Sequence, residues 1–225
     1  MKSHSRFISF TYSVLRFILR PIIITIWVKE VTGVKNIPKT GGAIVALNHQ
    51  SFLDFFAFAV VAPRGTHFLS AEKFFKKGLW KWLMILTGQI KVERNADDKS
   101  GVHSLVKKHI ENGDLVGIFP EGTRSHLKDE MLKAFTGIAK YALEHRVPII
   151  PVGIKGAHEI HSKESKRVKF IKTLEVHIGT PLHFPNHWEH HSDKEARTYV
   201  TEKAIKQIER LSGKRYPHYE LKHDE

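Results

Sequence analysis

"AIVALNHQSFLDFFAFAVVA", Ala43 to Ala62, is the stretch on which the reading of this chain turns. Its first five residues are apolar and give way at once to polar ones, as a short buried strand does. Its last eight, Phe55 to Ala62, read as a buried helix. Between the two, "NHQSFLD" seats a histidine, an amide, a serine and an aspartate where strand hands over to helix. A strand end is rigid yet opens onto a cleft, which makes it a favoured place for chemistry. His49 and Asp54 stand five apart, a step that does not pair side chains on a continuous helix but can do so across a tight turn. An aspartate folded back onto one imidazole nitrogen fixes the tautomer and supports the imidazolium formed when the other nitrogen takes a proton. The plainer alternative is capping by Ser51 or Asp54, with His49 filling space. For an isolated H-x4-D string that alternative has the advantage, and the rest of the chain has to overturn it.

With 225 residues and 41% hydrophobic content, the chain forms one globular domain with room for a small appendage. Cysteine is absent, which excludes disulfides, thiolate metal sites and a cysteine nucleophile, and fits a reducing compartment. The net charge of +13 and pI near 9.8 suit nucleic acid, an anionic membrane surface or phosphorylated substrates. No basic arm, zinc finger, helix-turn-helix or RNA-recognition signature is present, so nucleic acid is not expected. Among the 16 histidines, "AHEIH" (His158, His161) and "HWEHH" (His187, His190, His191) invite a metal, but neither has the H-E-x-x-H spacing. Solvated surface histidine is the expectation for both, and no metal site is expected.

Two segments have membrane character. "RFISFTYSVLRFILRPIIITIWV" (Arg6 to Val28) is long enough to span, but Arg16 and Arg20 lie within it and Pro21 follows. One charge at the bilayer centre costs about 2.5–3.5 kcal/mol even on a lenient scale. No small-residue cleavage site follows, so a secretory signal is not expected. The segment is expected to form an amphipathic helix to about Leu19 and then a strand from Thr25 to Val31. Its two arginines, four apart, share a helix face and suit phosphate headgroups. "EKFFKKGLWKWLM" (Glu72 to Met84) interleaves lysines with Phe74, Phe75, Trp80 and Trp82, as residues at headgroup level do. An ordinary amphipathic helix with core aromatics explains it equally well.

Further strands are expected at Thr66–Ala71, Asp114–Phe119, Pro148–Ile154 and Thr173–Gly179, and helices at Lys99–Glu111, Leu132–His145 and Asp193–Leu211. That alternation indicates an α/β fold with a mixed, largely parallel sheet flanked by helices. At one strand end comes "FPEGTRS", Phe119 to Ser125. Pro120 stops the ladder, Gly122 permits a turn, Thr123 offers an amide and a hydroxyl, and Glu121 and Arg124 leave together. A glycine turn with threonine and arginine suits a phosphate; a surface loop with a Glu–Arg ion pair fits as well. "GQIKVERN" adds Arg94 after a short strand. "VPIIPVGIKG" carries Pro148, suited to a strand start, and Pro151, suited to an edge or bulge.

In order, "NHQSFLD", "GQIKVER", "FPEGTRS" and "VPIIPVGIKG" resemble the four motif blocks of the 1-acylglycerol-3-phosphate acyltransferase family. The lead-in "VTGVKNIPKTGGAIVALNH" is similar too, so the resemblance runs from about Val31 to Gly156, with a weak continuation to Leu182. It overturns the plain reading of His49. It implies an acyltransferase domain over 23–225 behind a membrane-associated helix over 1–22. It implies His49 as general base, Asp54 as its orienting partner, and Glu121, Gly122, Thr123, Arg124 and Arg94 as binders of the glycerol-phosphate acceptor. The block with Pro148 and Pro151 is associated with the acyl donor, and Ser51 becomes a turn residue. No metal, no cofactor and no covalent acyl-enzyme are implied; acyl-CoA or acyl carrier protein brings the acyl group as co-substrate. Lysophosphatidic acid is the expected acceptor, with glycerol 3-phosphate, a lyso-aminolipid or another lysophospholipid as alternatives. The expected location is the cytoplasmic face of a membrane, without crossing it, since the segment before the first strand suits one interfacial helix rather than two. A silent basic protein on anionic membranes is the rival from another class. Lys91 and Glu93 depart from the second block, and Phe135 stands where a base is common, with Lys133 two before it; these departures bear on the headgroup.

Overall fold

Ala43 to Leu47 are buried without exception and form the central strand of the sheet. The structure is a computed structural model describing residues 2–93, 98 and 100–221. In chain order the elements are α1 (Lys2–Ile26), β1 (Val28–Thr32), β2 (Ala43–Leu47), α2 (Leu53–Val61), β3 (Thr66–Ala71), α3 (Gly78–Leu86) and β4 (Ile90–Val92). There follow α4 (Ser100–Glu111), β5 (Leu115–Ile118), α5 (Gly137–Glu144), β6 (Ile149–Lys155), α6 (Ala157–His161), β7 (Leu174–Ile178) and α7 (Lys194–Ser212). The sheet order is β1-β7-β6-β2-β5-β3-β4. Neighbours run parallel except β6 and β7, so the sheet is mixed and mostly parallel, as the alternation of elements indicates.

A buried parallel strand must satisfy apolar layers on both faces, and β2 does so by alternation. Ala43, Val45 and Leu47 meet α2, with Ala57 and Phe58, while α1 adds Ile23 to the same layer. Ile44 and Ala46 meet the other layer, with Val106 of α4, Ile138 of α5 and Val200, Ala204 and Ile208 of α7. The two layers position α2 so that its first turn lies just beyond the end of β2.

Two local expectations are corrected and a third is narrowed. The first helix does not stop near Leu19 but runs to Ile26, and the strand begins at Val28 rather than Thr25. Ile23 lies in the core and Leu19 and Ile24 pack against it, so the helix gains more by continuing than Pro21 costs. Residues 132–136 are not helical, because their N–H groups are drawn elsewhere: Leu132 to Glu121 Oε2, Ala134 to the Tyr216 hydroxyl, and Phe135 to the Pro120 carbonyl. Pro151 lies in β6, an interior strand, so of its two expected places the bulge holds and the edge does not: the antiparallel register slips by one residue between Ile149↔Leu182 and Val152↔Ile178. Ile149 exchanges hydrogen bonds with Leu182, and Gly179 N–H donates to the Pro151 carbonyl, so the odd-numbered residues face the β7 side. Register with β7 begins only at Val152, so the missing N–H of Pro151 falls where that ladder runs out.

Candidate active site

Because β2 and β5 are parallel neighbours, the turns that leave them share one end of the sheet. The turn after β2 is tied down on several sides. The Asn48 amide donates to the Ile154 carbonyl at 2.9 Å and accepts from the Ile154 N–H at 2.7 Å. Gln50 donates to the carbonyls of Leu127 and Lys128, and the Ser125 N–H donates to the His49 carbonyl at 2.7 Å. These brackets account for the polar residues in an otherwise apolar segment.

Asp54 is fully buried in the first turn of α2. Its Oδ2 accepts from His49 Nδ1 at 3.0 Å, from Gln50 N–H at 2.7 Å and from Ser51 N–H at 2.8 Å. An ionised carboxylate only accepts, so the ring proton sits on Nδ1 and Nε2 keeps its lone pair. The same oxygen thus closes the turn and holds the ring. The imidazole stacks on Phe119 with centroids 3.9 Å apart and planes 18° apart, which covers one face of the ring.

Glu121 is only 3% exposed, and its carboxylate spans two loops. Oε1 accepts from the His49 N–H at 2.7 Å and Oε2 from the Leu132 N–H at 2.8 Å. Burial pushes its carboxyl up to about 8, against these two hydrogen bonds, which favour the charged form, and with the nearby Asp54 charge adding to the rise. Both oxygens are engaged with backbone, so what Glu121 does here is hold the His49 turn in place. Arg124 lays its guanidinium over the Phe52 ring, 3.9 Å from the centroid. Its Nη1 is shielded from water and has no hydrogen-bond partner in the protein. Burial lowers the pKa of Arg124, and the charge of Asp54 works against that shift. Gly122 turns with φ +66°, and a β-carbon there would come within 3.0 Å of the Phe135 ring.

Several of these residues border a cavity of about 700 Å³. His49, Glu121, Gly122 and Thr123 contribute to its wall, and the rest is largely apolar, with Phe55, Phe56, Trp80, Met84 and Ile118. A base with a bare nitrogen, a guanidinium with one unpartnered nitrogen and an apolar chamber can activate a hydroxyl, hold an anion and house a hydrocarbon chain. The fold thus brings His49, Asp54, Glu121, Gly122, Thr123 and Arg124 to one end of the sheet. Arg94 lies outside the described residues. The brackets formed by Asn48, Gln50 and Ser125 escaped sequence reasoning; their only signal was polarity inside a run that folds as core.

Comparison with known proteins agrees with this geometry. The Acyltransferase family profile matches residues 29–155, more than half of the chain. The 1-acyl-sn-glycerol-3-phosphate acyltransferase of Bacillus subtilis is 27% identical, over 80% of this chain and 86% of its own length. The alpha form of that enzyme from Mus musculus is 30% identical over 68% of this chain and 54% of its own, so the chain spans about half of that relative. The crystal structure of the 1-acyl-sn-glycerophosphate acyltransferase of Thermotoga maritima superposes with a TM-score of 0.67 at 25% identity, covering 87% of this chain and 80% of the other. The chain belongs to the acyltransferase family, as its resemblance to the 1-acylglycerol-3-phosphate acyltransferases implied.

Proposed function

We propose that the chain transfers a fatty acyl group from a thioester of coenzyme A or acyl carrier protein to the free hydroxyl of 1-acylglycerol-3-phosphate, giving phosphatidic acid. The observation that carries this reading is the Asp54-oriented imidazole of His49 on the wall of a largely apolar cavity. The acceptor hydroxyl gives its proton to His49 Nε2 while its oxygen attacks the thioester carbonyl carbon. The C–S bond breaks, and the departing sulfur takes the proton back from the imidazolium. An alcohol needs a base to become a good nucleophile, whereas the thioester is already activated. The Arg124 guanidinium binds the acceptor phosphate, beside the Gly122–Thr123 turn, and Arg94 assists from the second block. Fixing the phosphate turns a bimolecular encounter into a near-unimolecular one. Glu121 acts through the His49 backbone as a positioning residue.

The same proposal sets the protein on the cytoplasmic face of an anionic membrane without crossing it. Among the described residues no helix is long and apolar enough to cross a membrane. Instead α1 exposes Phe10, Val14, Phe17, Ile18 and Ile22, with Phe17 82% exposed. Arg16 and Arg20 share a shallow groove with Phe17 and Pro21 on the same helix. α3 packs against α1, the Thr11 hydroxyl donating to the Leu86 carbonyl, and exposes Leu79, Trp82 and Ile85. Exposed apolar side chains beside basic ones suit insertion at headgroup depth.

A second reading, transfer to glycerol 3-phosphate, a lyso-aminolipid or another lysophospholipid, is favoured by Phe135, which is exposed against Gly122, and by Lys133, which pairs with Glu220. Release of thiol from acyl-CoA across a panel of acceptors separates the two. Lysophosphatidic acid is expected to give the fastest release. Arg124→Lys is expected to raise the KM for that acceptor more than the donor KM, because a point charge does not replace a planar fork. Fastest release with another acceptor corrects the headgroup. Thiol release that no acceptor stimulates overturns the proposal and favours a basic membrane-binding protein.

A further inference from the structure

The end of the sheet opposite His49 carries a second cluster of chemically capable side chains. His67 lies near the start of β3, His109 in the last turn of α4, and Asp114 just ahead of β5. β3 and β5 are parallel neighbours, so these starts lie together. His67 Nδ1 donates to the Gly88 carbonyl at 2.8 Å, which leaves Nε2 with its lone pair in the neutral ring. That nitrogen faces Asp114 Oδ2 at 3.7 Å, so two acceptors are aimed at the same space. His109 Nδ1 meets the same oxygen at 3.0 Å, and the two imidazoles stack with centroids 4.0 Å apart. One nitrogen from each histidine and one aspartate oxygen all lie within 4.8 Å of one another.

The geometry points to a zinc-type divalent cation site made by His67, His109 and Asp114. Zinc bonds to imidazole nitrogen and carboxylate oxygen are about 2.0–2.2 Å long, so tetrahedral ligands stand about 3.3 Å apart. The two histidine–aspartate separations, 3.0 and 3.7 Å, are close to that, and the two nitrogens lie within 4.8 Å of each other. Metal displaces the Nδ1 proton of His109 to solvent, and a water completes the shell, because His109 and Asp114 are only partly buried. The Gly88 carbonyl is the outer partner that orients a ligating histidine. It reaches the ring because Gly88 has φ +65° and no β-carbon, which would lie 3.1 Å from Nδ1. Arg64 is the opposing charge near Asp114; its guanidinium is engaged with the carbonyls of Gly113 and Gly41, so it weakens the site without taking a ligand atom. The bound ion would join β3, the C-terminus of α4, the entry to β5 and, through Gly88, the end of α3. Its role is a structural clamp away from the reaction.

The test uses the full chain, stripped with a chelator and titrated with Zn²⁺ alone. One saturable equivalent is expected, with a raised melting temperature. Asp114→Asn and His109→Ala are expected to weaken that binding by at least about tenfold, the scale of losing even an outer partner. His190→Ala is expected to change nothing. In the wild-type protein, one equivalent of Zn²⁺ is expected to shield His109 from diethyl pyrocarbonate while His190 and His191 stay reactive. This mapping needs no variant to fold. Absence of saturable binding, equal binding by wild type and variants, or shielding spread over the surface histidines overturns the site.

Discussion

One oxygen of Asp54 takes the His49 ring and two backbone N–H groups, so the His49–Asp54 pair and the turn beneath it are a single hydrogen-bonded unit. The H-x4-D spacing and the strand-to-helix change around it raise that pair only as a candidate behind plain capping, and the resemblance of the four blocks in order decides for it. Glu121 was legible only as a residue type. A glutamate three before an arginine suggests an ion pair or a ligand contact; the fold also engages each oxygen with an N–H group from a different loop, and no local pattern displays that. Its burial has a measurable consequence. The folded carboxyl binds its proton more tightly than an exposed one, so its contribution to stability falls as pH rises from about 4.5 to about 8. Glu121→Gln cannot titrate. The melting-temperature difference between wild type and Glu121→Gln is therefore expected to move against the wild type as pH rises across that window. A constant difference would show that burial does not raise the carboxyl's pKa.

At the scale of elements, strands read better than helix ends. β2 and β3 occupy the expected residues because each is a short apolar or β-branched run with a clear polar or glycine boundary. α1 outran its expected end because tertiary packing of Ile23 outweighs the proline, a contact of distant residues that no helix signal carries. Residues 132–136 read as helix because their donors' true partners, Glu121, Pro120 and Tyr216, are remote in the chain. The exposed faces of α1 and α3 carry their own prediction. Replacing Phe17 and Trp82, 82% and 59% exposed, with serine is expected to reduce binding to anionic vesicles and turnover of membrane-embedded acceptor, while largely sparing a short-chain soluble one. Vesicle binding is expected to fall partly with salt and to persist in part at high salt, since screening acts on the arginines and lysines and not on apolar burial. Unchanged vesicle binding by the double variant would remove these faces from the interface.

At the scale of the whole molecule, a +13 charge and a mostly parallel sheet were both available from the sequence, but the arrangement that joins them was not. Strand order is set by which apolar faces meet, and β7 pairs antiparallel with β6 and parallel with β1, which alternation along the chain does not encode. The order matters because it puts the β2 and β5 exits side by side and so assembles His49, Glu121 and Arg124 from separate motifs. The proposed reaction rests on that assembly, and its most direct test is the rate of acceptor-dependent thiol release from acyl-CoA by His49→Ala protein shown to be folded by its melting curve. The account predicts a kcat lowered by about 10²–10⁴-fold with substrate KM values little changed. Asp54→Asn is predicted to slow turnover as well, because the ring remains but its orientation is weakened. Near-normal turnover by folded His49→Ala protein would contradict the account at its centre.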